Sequence, residues 1–426
     1  MTIDAYPYYQ KFGVSEAVYR LSEQINQDLA EKYAELELIS SKRQLEVLAA
    51  FQKHQFCEAE LHGSTGYGYA DSGRDKLEAV LADCFQAEAA FLRWQFASGT
   101  QVLYQMLRAL LKAGDELLIV SGEVYDSLKP GVAALENMGI NLRYVELSLA
   151  EEASFDYPAI AAALNEKTAA VYVQKSRGYS LRPSLTSAKI GELKKFLLEQ
   201  GFTKPLLVDN CYGEFVELEE PTAFGADLIA GSLIKNPGGG IAPSGGYVAG
   251  REDLVERVAE AVTAPGLGRE IGPSLGHLRE LGIGLYLAPL IVKEALQTAA
   301  HLAGLFSKLG YQVEPLPCGV RGDIVQIIYL ENAQRLEQFC CAIQAAAPID
   351  HHFTPVASPM PGYDCDIIMA SGSFTQGSSI ELSADGPMRE PYTAFFQGSF
   401  NFTTGRLAGM LAATAVGAKQ IGEGLE

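Results

Sequence analysis

Apolar residues recur at helical spacing through the first 60 residues of the chain. Four of them share one face of a predicted helix: Val18, Leu21, Ile25 and Leu29. Ser15 precedes this face and is expected to cap the helix, while Ser41 and Gln44 form the pattern of a capping box and predict a further helix start. The glycine-rich residues 62–75 then interrupt the pattern and are predicted to be loop.

From about residue 76 to residue 250, short apolar runs alternate with helical patterns. The runs predict buried strands at residues 89–94, 117–121, 142–147, 169–174, 205–210, 227–232 and 246–250. Helical patterns lie at residues 76–85, 100–112, 157–164 and 187–200. This alternation predicts an α/β fold whose mostly parallel sheet is covered by helices on both faces. Such sheets bind ligands at the carboxyl ends of their strands.

The pattern changes beyond about residue 275. Helices are predicted at residues 288–309, 334–346 and 403–419, with a strand at 323–330 and an irregular loop over 348–364, where four prolines occur. These segments predict a smaller α+β domain. The expected organisation is an N-terminal helical segment (1–62), a large α/β domain (63–275) and a small C-terminal domain (276–426).

The charge balance narrows the classes of partner. Lys and Arg number 33 against 52 Asp and Glu, so the net charge of −19 disfavours binding to phosphate backbones and anionic lipid. The longest membrane-like runs hold 12 residues, short of the roughly 20 needed, and no secretory signal is seen. The seven cysteines form no Cys-x-x-Cys pair and, with six histidines, no metal-ligand spacing. We expect a reduced, cytoplasmic protein without a metal site, a nucleic-acid partner or a membrane contact.

Lys235 lies just beyond a predicted strand that ends at Ser232, and five glycines follow within residues 236–246. Burial at a strand end lowers the pKa of an ammonium group, and a lysine with a depressed pKa can form a Schiff base. The glycines let the backbone approach a bulky group closely. Taken alone, a surface lysine in a flexible turn explains the segment equally well.

Asp209 follows three apolar residues, which places its carboxylate at the carboxyl edge of the predicted sheet. A carboxylate there can keep a heterocyclic nitrogen protonated, as a pyridinium cofactor requires. Taken alone, a helix-capping aspartate in a turn is the simpler interpretation.

Ser98, Gly99 and Thr100 lie between a predicted strand and a predicted helix, where backbone N–H groups and hydroxyls can cradle a phosphate. Tyr125, beyond the next strand, can stack on a flat ring. Each feature has an ordinary alternative, since Ser-Gly-Thr is a common helix start and the chain has 20 tyrosines. In combination with Lys235 and Asp209, however, they complete the set of groups needed to hold pyridoxal 5′-phosphate.

Two segments resemble a known enzyme family. Residues 66–101 and the block 205–250, which contains LLVDNCYGEF and FGADLIAGSLIKNPGG, are similar to the Cys/Met-metabolism branch of fold-type I pyridoxal-phosphate enzymes. The chain is most similar there to methionine γ-lyase-like proteins, also labelled aluminium resistance proteins or cystathionine β-lyase-like. The resemblance covers nearly the whole chain. It implies a fold-type I transferase-like fold with a mostly parallel seven-stranded sheet and a smaller α+β C-terminal domain.

The resemblance also implies residue roles. Lys235 would form the Schiff base with the cofactor, Asp209 would pair with its pyridinium, and Tyr125 would stack on the ring. The residues expected to hold the phosphate are Ser98, Gly99, Thr100 and Ser232, with Tyr69 and Arg74 reaching it from the glycine-rich loop of a partner subunit. A homo-oligomer, dimer or tetramer, with shared active sites is therefore expected.

A fold-type I enzyme usually binds the substrate α-carboxylate through an arginine of its small domain. Arg389, just past an exposed turn, is the predicted residue, because a guanidinium can bind a carboxylate in a bidentate manner. Arg321 is the rival, and Arg406 is interpreted as a surface charge on an amphipathic helix.

The implied function is β- or γ-elimination of a sulfur leaving group from a sulfur-containing amino acid, of the cystathionine β-lyase or methionine γ-lyase type. The better-known lyases have Tyr-x-Arg where this chain has Tyr69-Ala70-Asp71 and a later Arg74, and residues 173–184 replace their Asn-rich segment. These departures leave the substrate open. Another reaction on the same cofactor, such as γ-replacement, aldol cleavage or decarboxylation, is one alternative. A non-catalytic binding protein or a nucleotide-dependent oxidoreductase is another, although no Gly-x-Gly-x-x-Gly follows a strand.

Overall fold

The computed structural model describes residues 4–148, 154–360 and 363–419. Its α-helices are α1 (Tyr6–Gln10), α2 (Glu16–Asp28), α3 (Ala30–Lys53), α4 (Ser72–Cys84), α5 (Gly99–Leu110), α6 (Lys129–Asn137), α7 (Tyr157–Ala163), α8 (Ser187–Glu199), α9 (Glu252–Val262), α10 (Leu278–Lys308), α11 (Ala333–Ala345) and α12 (Phe402–Val416). None of these helices is long and apolar enough to cross a membrane.

The predicted strands are found near the apolar runs of the sequence, but the strand expected to be buried at residues 142–147 is wrong in its burial, because β3 lies at the edge of the sheet and none of its positions is buried. The strands are β1 (Ala89–Arg93), β2 (Glu116–Ile119), β3 (Asn141–Tyr144), β4 (Leu147–Ser148), β5 (Ser154–Phe155), β6 (Thr168–Gln174), β7 (Leu206–Asp209), β8 (Leu228–Ser232), β9 (Gly246–Gly250), β10 (Val313–Glu314), β11 (Gln326–Tyr329), β12 (Ile367–Ser371), β13 (Ser383–Pro387) and β14 (Thr393–Gln397). Every position of β7, β8 and β9 is buried, as expected of short continuous apolar runs inside a covered sheet.

The N-terminal helices show one predicted start that is right and one that is wrong. Ser15 caps α2, because its Oγ accepts the backbone N–H of Val18 at 3.4 Å. The start predicted at Ser41 is wrong, since α3 runs through this residue without a break. Buried positions continue along one helical face on both sides of it, at residues 36, 40, 43, 47 and 50. Continuous burial of one face favours a single long helix over two short ones.

The glycine-rich stretch ends in a helix. Asp71 caps α4, with its Oδ1 accepting the backbone N–H of Arg74 at 3.0 Å. The prediction of loop up to residue 75 is therefore wrong from Ser72 on, because the capping aspartate starts the helix in spite of Gly73. A Cβ at Gly73 would lie 2.4 Å from the carbonyl oxygen of Glu60, so close packing explains this glycine.

The chain divides into two compact units. One combines the residues up to Ser40 with those from Leu290 on, and the other is Ser41–Pro289. The boundaries expected from the sequence lie after residues 62 and 275. The helices α3 and α10 each continue across a boundary of the structural division.

The unit Ser41–Pro289 is built on a seven-stranded sheet with the order β1-β9-β8-β7-β6-β2-β3. The pairs from β3 to β8 are parallel, and β9 runs antiparallel to both of its neighbours. Leu103 of α5 and Val255 of α9 belong to the same buried cluster as Leu207 and Val248 of the sheet. The predicted mostly parallel sheet with flanking helices is confirmed.

The other unit contains a five-stranded antiparallel sheet with the order β10-β11-β14-β13-β12. Its core joins the sheet to α2, α10, α11 and α12 through residues that include Ile25, Phe306, Phe339 and Met410. The predicted smaller α+β fold of the C-terminal part is confirmed. The contribution of α2 to this core is a feature that no pattern in the sequence shows.

Candidate active site

The carboxyl ends of β6, β7 and β8 bring several predicted site residues to one edge of the sheet. Gln174 of β6 lies beside Asp209 of β7, and Asp209 lies beside Ala230 of β8. Ser232 ends β8, and Lys235 follows three residues later. Because these strands are parallel, their last side chains meet at the edge where such sheets bind ligands.

Asp209 is a buried carboxyl group in this edge. Its Oδ1 accepts the backbone N–H of Cys211 at 3.0 Å. Burial raises the pKa of Asp209 above its usual value, and the opposing effects of Lys235 and the Cys211 N–H reduce this shift only in part. A cation placed against Asp209 would favour its ionised form. The protein therefore supplies a buried carboxyl group that a cationic ligand would keep ionised.

Lys235 is partly buried, and its Nζ lies 3.8 Å from the centre of the Tyr212 ring. Desolvation lowers the pKa of this lysine, but the acidic groups around it outweigh desolvation and raise the pKa above its usual value. These groups are Cys211, Tyr212, Tyr125 and Asp209. The depressed pKa that the sequence predicts for Lys235 is therefore wrong for the protein without a ligand. The sequence indicates the burial of Lys235, which lowers the pKa, but it does not show which acidic groups surround the lysine.

The N-terminus of α5 packs against the end of β8. Ser98 caps α5, with its Oγ accepting the backbone N–H of Gln101 at 3.1 Å. A Cβ added to Gly99 would lie 3.0 Å from the Cβ of Ser232, which is a crowded distance between two carbons. Glycine at this position therefore lets the first turn of a helix, with its unsatisfied N–H groups, approach the Ser232 hydroxyl.

Tyr125 is held between α5 and β6. Its hydroxyl oxygen lies 3.1 Å from Oγ1 of Thr100, which in turn lies 3.3 Å from Oγ of Ser127. The backbone N–H of Tyr125 donates to Oε1 of Gln174 at 2.8 Å. Burial, followed by the charge of Asp209, raises the pKa of the Tyr125 phenol, so the phenol keeps its proton at neutral pH.

Sequence reasoning missed Gln174, Ser127 and Tyr212. Gln174 carried a usable signal, since it is a polar residue closing an apolar run whose carboxyl end lies at the ligand edge. Ser127 and Tyr212 carried none, because their proximity to Thr100 and Lys235 arises only when distant segments come together.

The comparisons with known proteins decide the family. A sequence model described as methionine gamma-lyase matches residues 18–416. The chain belongs to the methionine gamma-lyase family. Members of this family are pyridoxal-phosphate-dependent enzymes, and the chain is accordingly a carbon–sulfur lyase of sulfur-containing amino acids.

Individual relatives extend this result. The uncharacterized protein YnbB of Bacillus subtilis (strain 168) is 42% identical over 394 residues, which cover 91% of this chain and 94% of that protein. The L-methionine gamma-lyase of Pseudomonas putida is 29% identical over 185 residues, 43% of this chain and 42% of that enzyme. A solved structure named carbon-sulfur lyase involved in aluminum resistance, from Clostridium novyi NT, has a TM-score of 0.92 and 38% identity, covering 97% of this chain and 99% of that one. The fold class and family resemblance predicted from the sequence are confirmed.

The glycine-rich loop of this methionine gamma-lyase family member is supported by its own chain. A Cβ at Gly68 would lie 2.7 Å from Cα of Pro273, and the N–H of Gly272 donates to the carbonyl oxygen of Tyr67 at 2.9 Å. The segment around Pro273 therefore packs along the glycine-rich loop, and the glycine at position 68 allows the two backbones to approach closely. Tyr69 is 58% exposed, and its ring centre lies 6.0 Å from that of Tyr67.

Arg74 lies buried in the first turn of α4. Its Nη1 donates to the carbonyl oxygens of Gly68 at 2.8 Å and Gly272 at 3.0 Å, and its Nη2 lies 2.8 Å from the carboxylate of Asp75. The guanidinium therefore ties the glycine-rich loop to the segment that contains Gly272. Contact between Arg74 and the phosphate bound by a partner subunit stays a prediction.

The arginines predicted for the substrate carboxylate differ in burial. The Arg389 side chain is 46% exposed and pairs with the exposed Asp364 at 2.6 Å. Arg321 is buried, and its Nη2 donates to Oε1 of Gln326 at 2.6 Å. An exposed arginine with an exposed partner can exchange that partner for a ligand at small cost, since surface ion pairs contribute little. The role of Arg389 stays a prediction.

The interpretation of Arg406 as a surface charge is wrong. Its Nε donates to Oγ of Ser22 at 2.7 Å, and its Nη2 donates to the carboxylate of Glu23 at 2.6 Å. Most positions around Arg406 in α12 are buried, so the helix is not amphipathic in the way its sequence suggested. Residues of α2 satisfy the guanidinium instead of solvent.

Proposed function

We propose that Lys235 binds pyridoxal 5′-phosphate as a Schiff base and that the enzyme eliminates a sulfur leaving group from Cβ or Cγ of an amino acid. The observation that carries this proposal is the shared sheet edge. There Asp209 ends β7, Ser232 ends the neighbouring β8 and Lys235 follows Ser232 by three residues, while Gly99 brings a helix N-terminus against Ser232.

The residues at this edge fit the cofactor group by group. The amine of Lys235 suits the aldehyde, and the buried carboxyl of Asp209 suits a protonated ring nitrogen. Tyr125 offers an aromatic face for the ring. The N–H groups at the start of α5, together with hydroxyls, suit a phosphate. The hydroxyl-bearing residues are Ser98, Thr100 and Ser232.

When bound, pyridoxal phosphate supplies an electron sink that makes the Cα proton of an amino acid acidic. An amine of Lys235 that is not bound to the cofactor and carries no proton would be the base for this proton. Tyr125 keeps its own proton at neutral pH because burial raises its pKa, so it can donate to the departing sulfur but cannot accept the Cα proton. Asp209 would be kept ionised by a cationic ring bound beside it.

Mass spectrometry after borohydride reduction tests the attachment site. The main competing attachment site is Lys175, which directly follows β6, is fully buried and pairs with Glu217 at 2.8 Å. We expect the reduced cofactor on the peptide that contains Lys235, loss of the adduct in Lys235→Ala, and retention in Lys175→Met. A cofactor adduct on Lys175, or on any lysine of Lys235→Ala, would contradict the proposal.

Product analysis tests the reaction. Elimination releases a keto acid and ammonia from methionine, cystathionine or cysteine, whereas γ-replacement needs an added thiol and aldol cleavage releases an aldehyde. Release of keto acid without added thiol supports elimination. Turnover only with an added thiol, or aldehyde release, would assign one of the alternative reactions on the same cofactor.

We propose further that the enzyme is a homo-oligomer with shared active sites, in which Tyr69 and Arg74 reach the phosphate of a partner subunit. For Arg74 this requires that its guanidinium exchange the carbonyl oxygens of Gly68 and Gly272 for the phosphate when the subunits assemble. The exposed rings of Tyr67 and Tyr69 support this proposal. Arg74→Ala should bind the cofactor more weakly, and mixing it with Lys235→Ala should restore activity, because one hybrid site then holds both intact residues. A monomer that turns over substrate would rule out sharing.

The cysteines bear on the compartment. All seven are free thiols, and Cys340 and Cys341 are adjacent without bridging. We propose a reducing, cytoplasmic location, where thiols persist.

A further inference from the structure

A fully buried carboxyl group lies close to the proposed cofactor site and has no part in the mechanism above. Oε1 of Glu214 accepts a hydrogen bond of 2.9 Å from the hydroxyl of Tyr247 in β9. Its Oε2 has no hydrogen-bond partner among the described residues. An oxygen this deeply buried without a partner is costly as a carboxylate and much less costly as the hydroxyl of a neutral acid.

The position of Glu214 is set by a glycine of β8. A Cβ at Gly231 would lie 2.4 Å from Oε1 of Glu214, so only glycine leaves room for the carboxyl group. Gly231 and Ser232 are successive strand residues and point to opposite faces of the sheet. Glu214 therefore packs on the face of β8 opposite to the one on which Ser232 meets Gly99.

Two asparagines connect this group to the proposed cofactor residues. Asn236, next to Lys235, donates from Nδ2 to the carbonyl oxygen of Glu214 at 2.9 Å. Asn210, next to Asp209, donates from Nδ2 to the Tyr247 hydroxyl at 3.4 Å. The hydrogen-bond network of Glu214 thus contacts the chain beside both residues that would hold the cofactor.

The charged and titratable groups around Glu214 come from several elements. Glu220 lies in the same network and pairs with Arg43 at 2.9 Å. Lys235 and Cys211 interact with Glu214 electrostatically, and Lys175 packs against the neighbouring Gly213. Burial, the largest effect, raises the pKa of Glu214 to about 8, and Glu220 adds to it, while the backbone N–H of Glu214 itself, Tyr247 and Lys235 oppose it.

We propose that Glu214 is a positioning residue for Lys235. Its buried carboxyl group adjusts how tightly the Lys235 nitrogen holds its proton, in addition to the acidic groups that surround Lys235 directly. When Glu214 is a neutral acid, it adds no charge near the Lys235 nitrogen, and proton binding at that nitrogen depends on Asp209 and the cofactor. As a carboxylate, it adds a negative charge in a poorly solvated site and strengthens proton binding at Lys235. This inference rests on the proposed Schiff base at Lys235.

The first test is a pH titration of the visible absorbance of the holoenzyme, which follows the proton on the Schiff-base nitrogen. We expect Glu214→Gln, which keeps the shape and removes the ionisation, to move the midpoint to lower pH by about one unit. Tyr247→Phe should move it the same way but less, because Glu214 then ionises at higher pH. Glu116→Gln, at the opposite end of the sheet, is the matched control and should keep the midpoint of the unchanged protein.

The second test uses the cofactor-free protein and needs no activity. A carboxyl group whose pKa is higher in the folded protein than in the unfolded chain makes the folded protein less stable as the pH rises. The loss of stability takes place between the pKa of the unfolded chain and the pKa of the folded protein. Relative to Glu214→Gln, the unfolding equilibrium constant of the unchanged protein should rise up to about tenfold per pH unit between roughly pH 5 and 8.

The outcomes separate the two proposals. If the unchanged protein forms no reducible adduct at Lys235, the proposed function fails whatever Glu214 does. If the adduct forms but Glu214→Gln titrates like the unchanged protein, the role of Glu214 is overturned and the function stands. Equal pH slopes in the unfolding experiment would overturn the role of Glu214 without reference to the cofactor.

Discussion

Oε1 of Gln174 accepts the backbone N–H of Tyr125 at 2.8 Å, although the two residues are 49 positions apart in the sequence. The same side chain donates from Nε2 to the carbonyl oxygen of Ser176 at 3.0 Å. One amide therefore holds both the segment that presents Tyr125 and the turn that follows β6. A Cβ at Gly178, in that turn, would lie 3.2 Å from the Cβ of Tyr125, so the turn packs directly on the tyrosine.

Replacing Gln174 should displace Tyr125. In Gln174→Met the buried N–H of Tyr125 loses its acceptor, which costs about 1–3 kcal/mol of unfolding free energy. We also expect weaker binding of pyridoxal phosphate, measured by fluorescence titration of the cofactor-free protein. Gln344→Met is the matched control, because it removes a buried amide of the other unit that also accepts one backbone N–H and donates to one carbonyl oxygen. Equal cofactor affinity in Gln174→Met and the unchanged protein would contradict the positioning of Tyr125 by Gln174.

Gly99→Ala tests the phosphate cradle. The new methyl group would stand 3.0 Å from the Cβ of Ser232 and push the start of α5 away from β8. We expect cofactor affinity to fall about tenfold or more, as for the loss of one charge-assisted hydrogen bond of about 1.5–3 kcal/mol. Gly282→Ala in α10 meets no atom within 4 Å and should leave cofactor binding unchanged. Unchanged affinity in Gly99→Ala would remove this turn from the phosphate site.

The ion pair between Arg43 and Glu220 is a test of stability. Both side chains are 1% exposed, and Nη2 of Arg43 lies 2.9 Å from Oε1 of Glu220. Arg43→Met leaves a buried carboxylate without its cation and should cost about 3–5 kcal/mol in urea unfolding. In the double variant with Glu220→Met the two losses should be less than additive. Strict additivity would show that the two groups do not interact.

Buried His301 should make stability fall in acid. Nε2 of His301 lies 2.9 Å from Oγ of Ser22, and burial, with Arg406 adding to it, lowers the pKa of the imidazole to about 3. The unfolded chain takes up a proton near pH 6.5, so this stabilisation is complete above that pH and declines as pH falls towards 3. Between pH 7.5 and 5 the decline from this group is about 2 kcal/mol. His301→Gln should show a correspondingly smaller change in urea midpoint, and an equal change would refute the prediction.

Arg389→Ala tests the substrate-binding prediction. Loss of a charged hydrogen-bonding partner for the α-carboxylate should raise KM about 10- to 100-fold with a smaller effect on cofactor affinity. Arg335→Ala removes another arginine of the same unit, which pairs with Glu331 at 3.3 Å, and serves as the control. If Arg389→Ala behaves like Arg335→Ala while Arg321→Lys raises KM, the carboxylate role passes to Arg321.

Short sequence patterns predicted helices and strands correctly where the same residues are also buried together in the folded protein. The strands that end at Gln174, Asp209 and Ser232 were visible as apolar runs, and Ser15 was visible as a cap. Ser41 carried an equally good capping pattern, yet α3 continues through it because burial on one face extends past that residue. A local motif cannot show whether the flanking turns will be buried together.

The sequence by itself determined the fold class, the family and the residues of the sheet edge, because alternating apolar runs specify a parallel sheet and a parallel sheet specifies where its polar strand ends meet. The tertiary structure alone decided the electrostatics of that edge. In the folded protein, Asp209, Tyr212 and Cys211 lie close to Lys235. Glu214 packs against Gly231, and the Arg74 side chain is buried against carbonyl groups of its own chain. Charges act through space, so the pKa of Lys235 depends on residues whose proximity no spacing along the chain encodes.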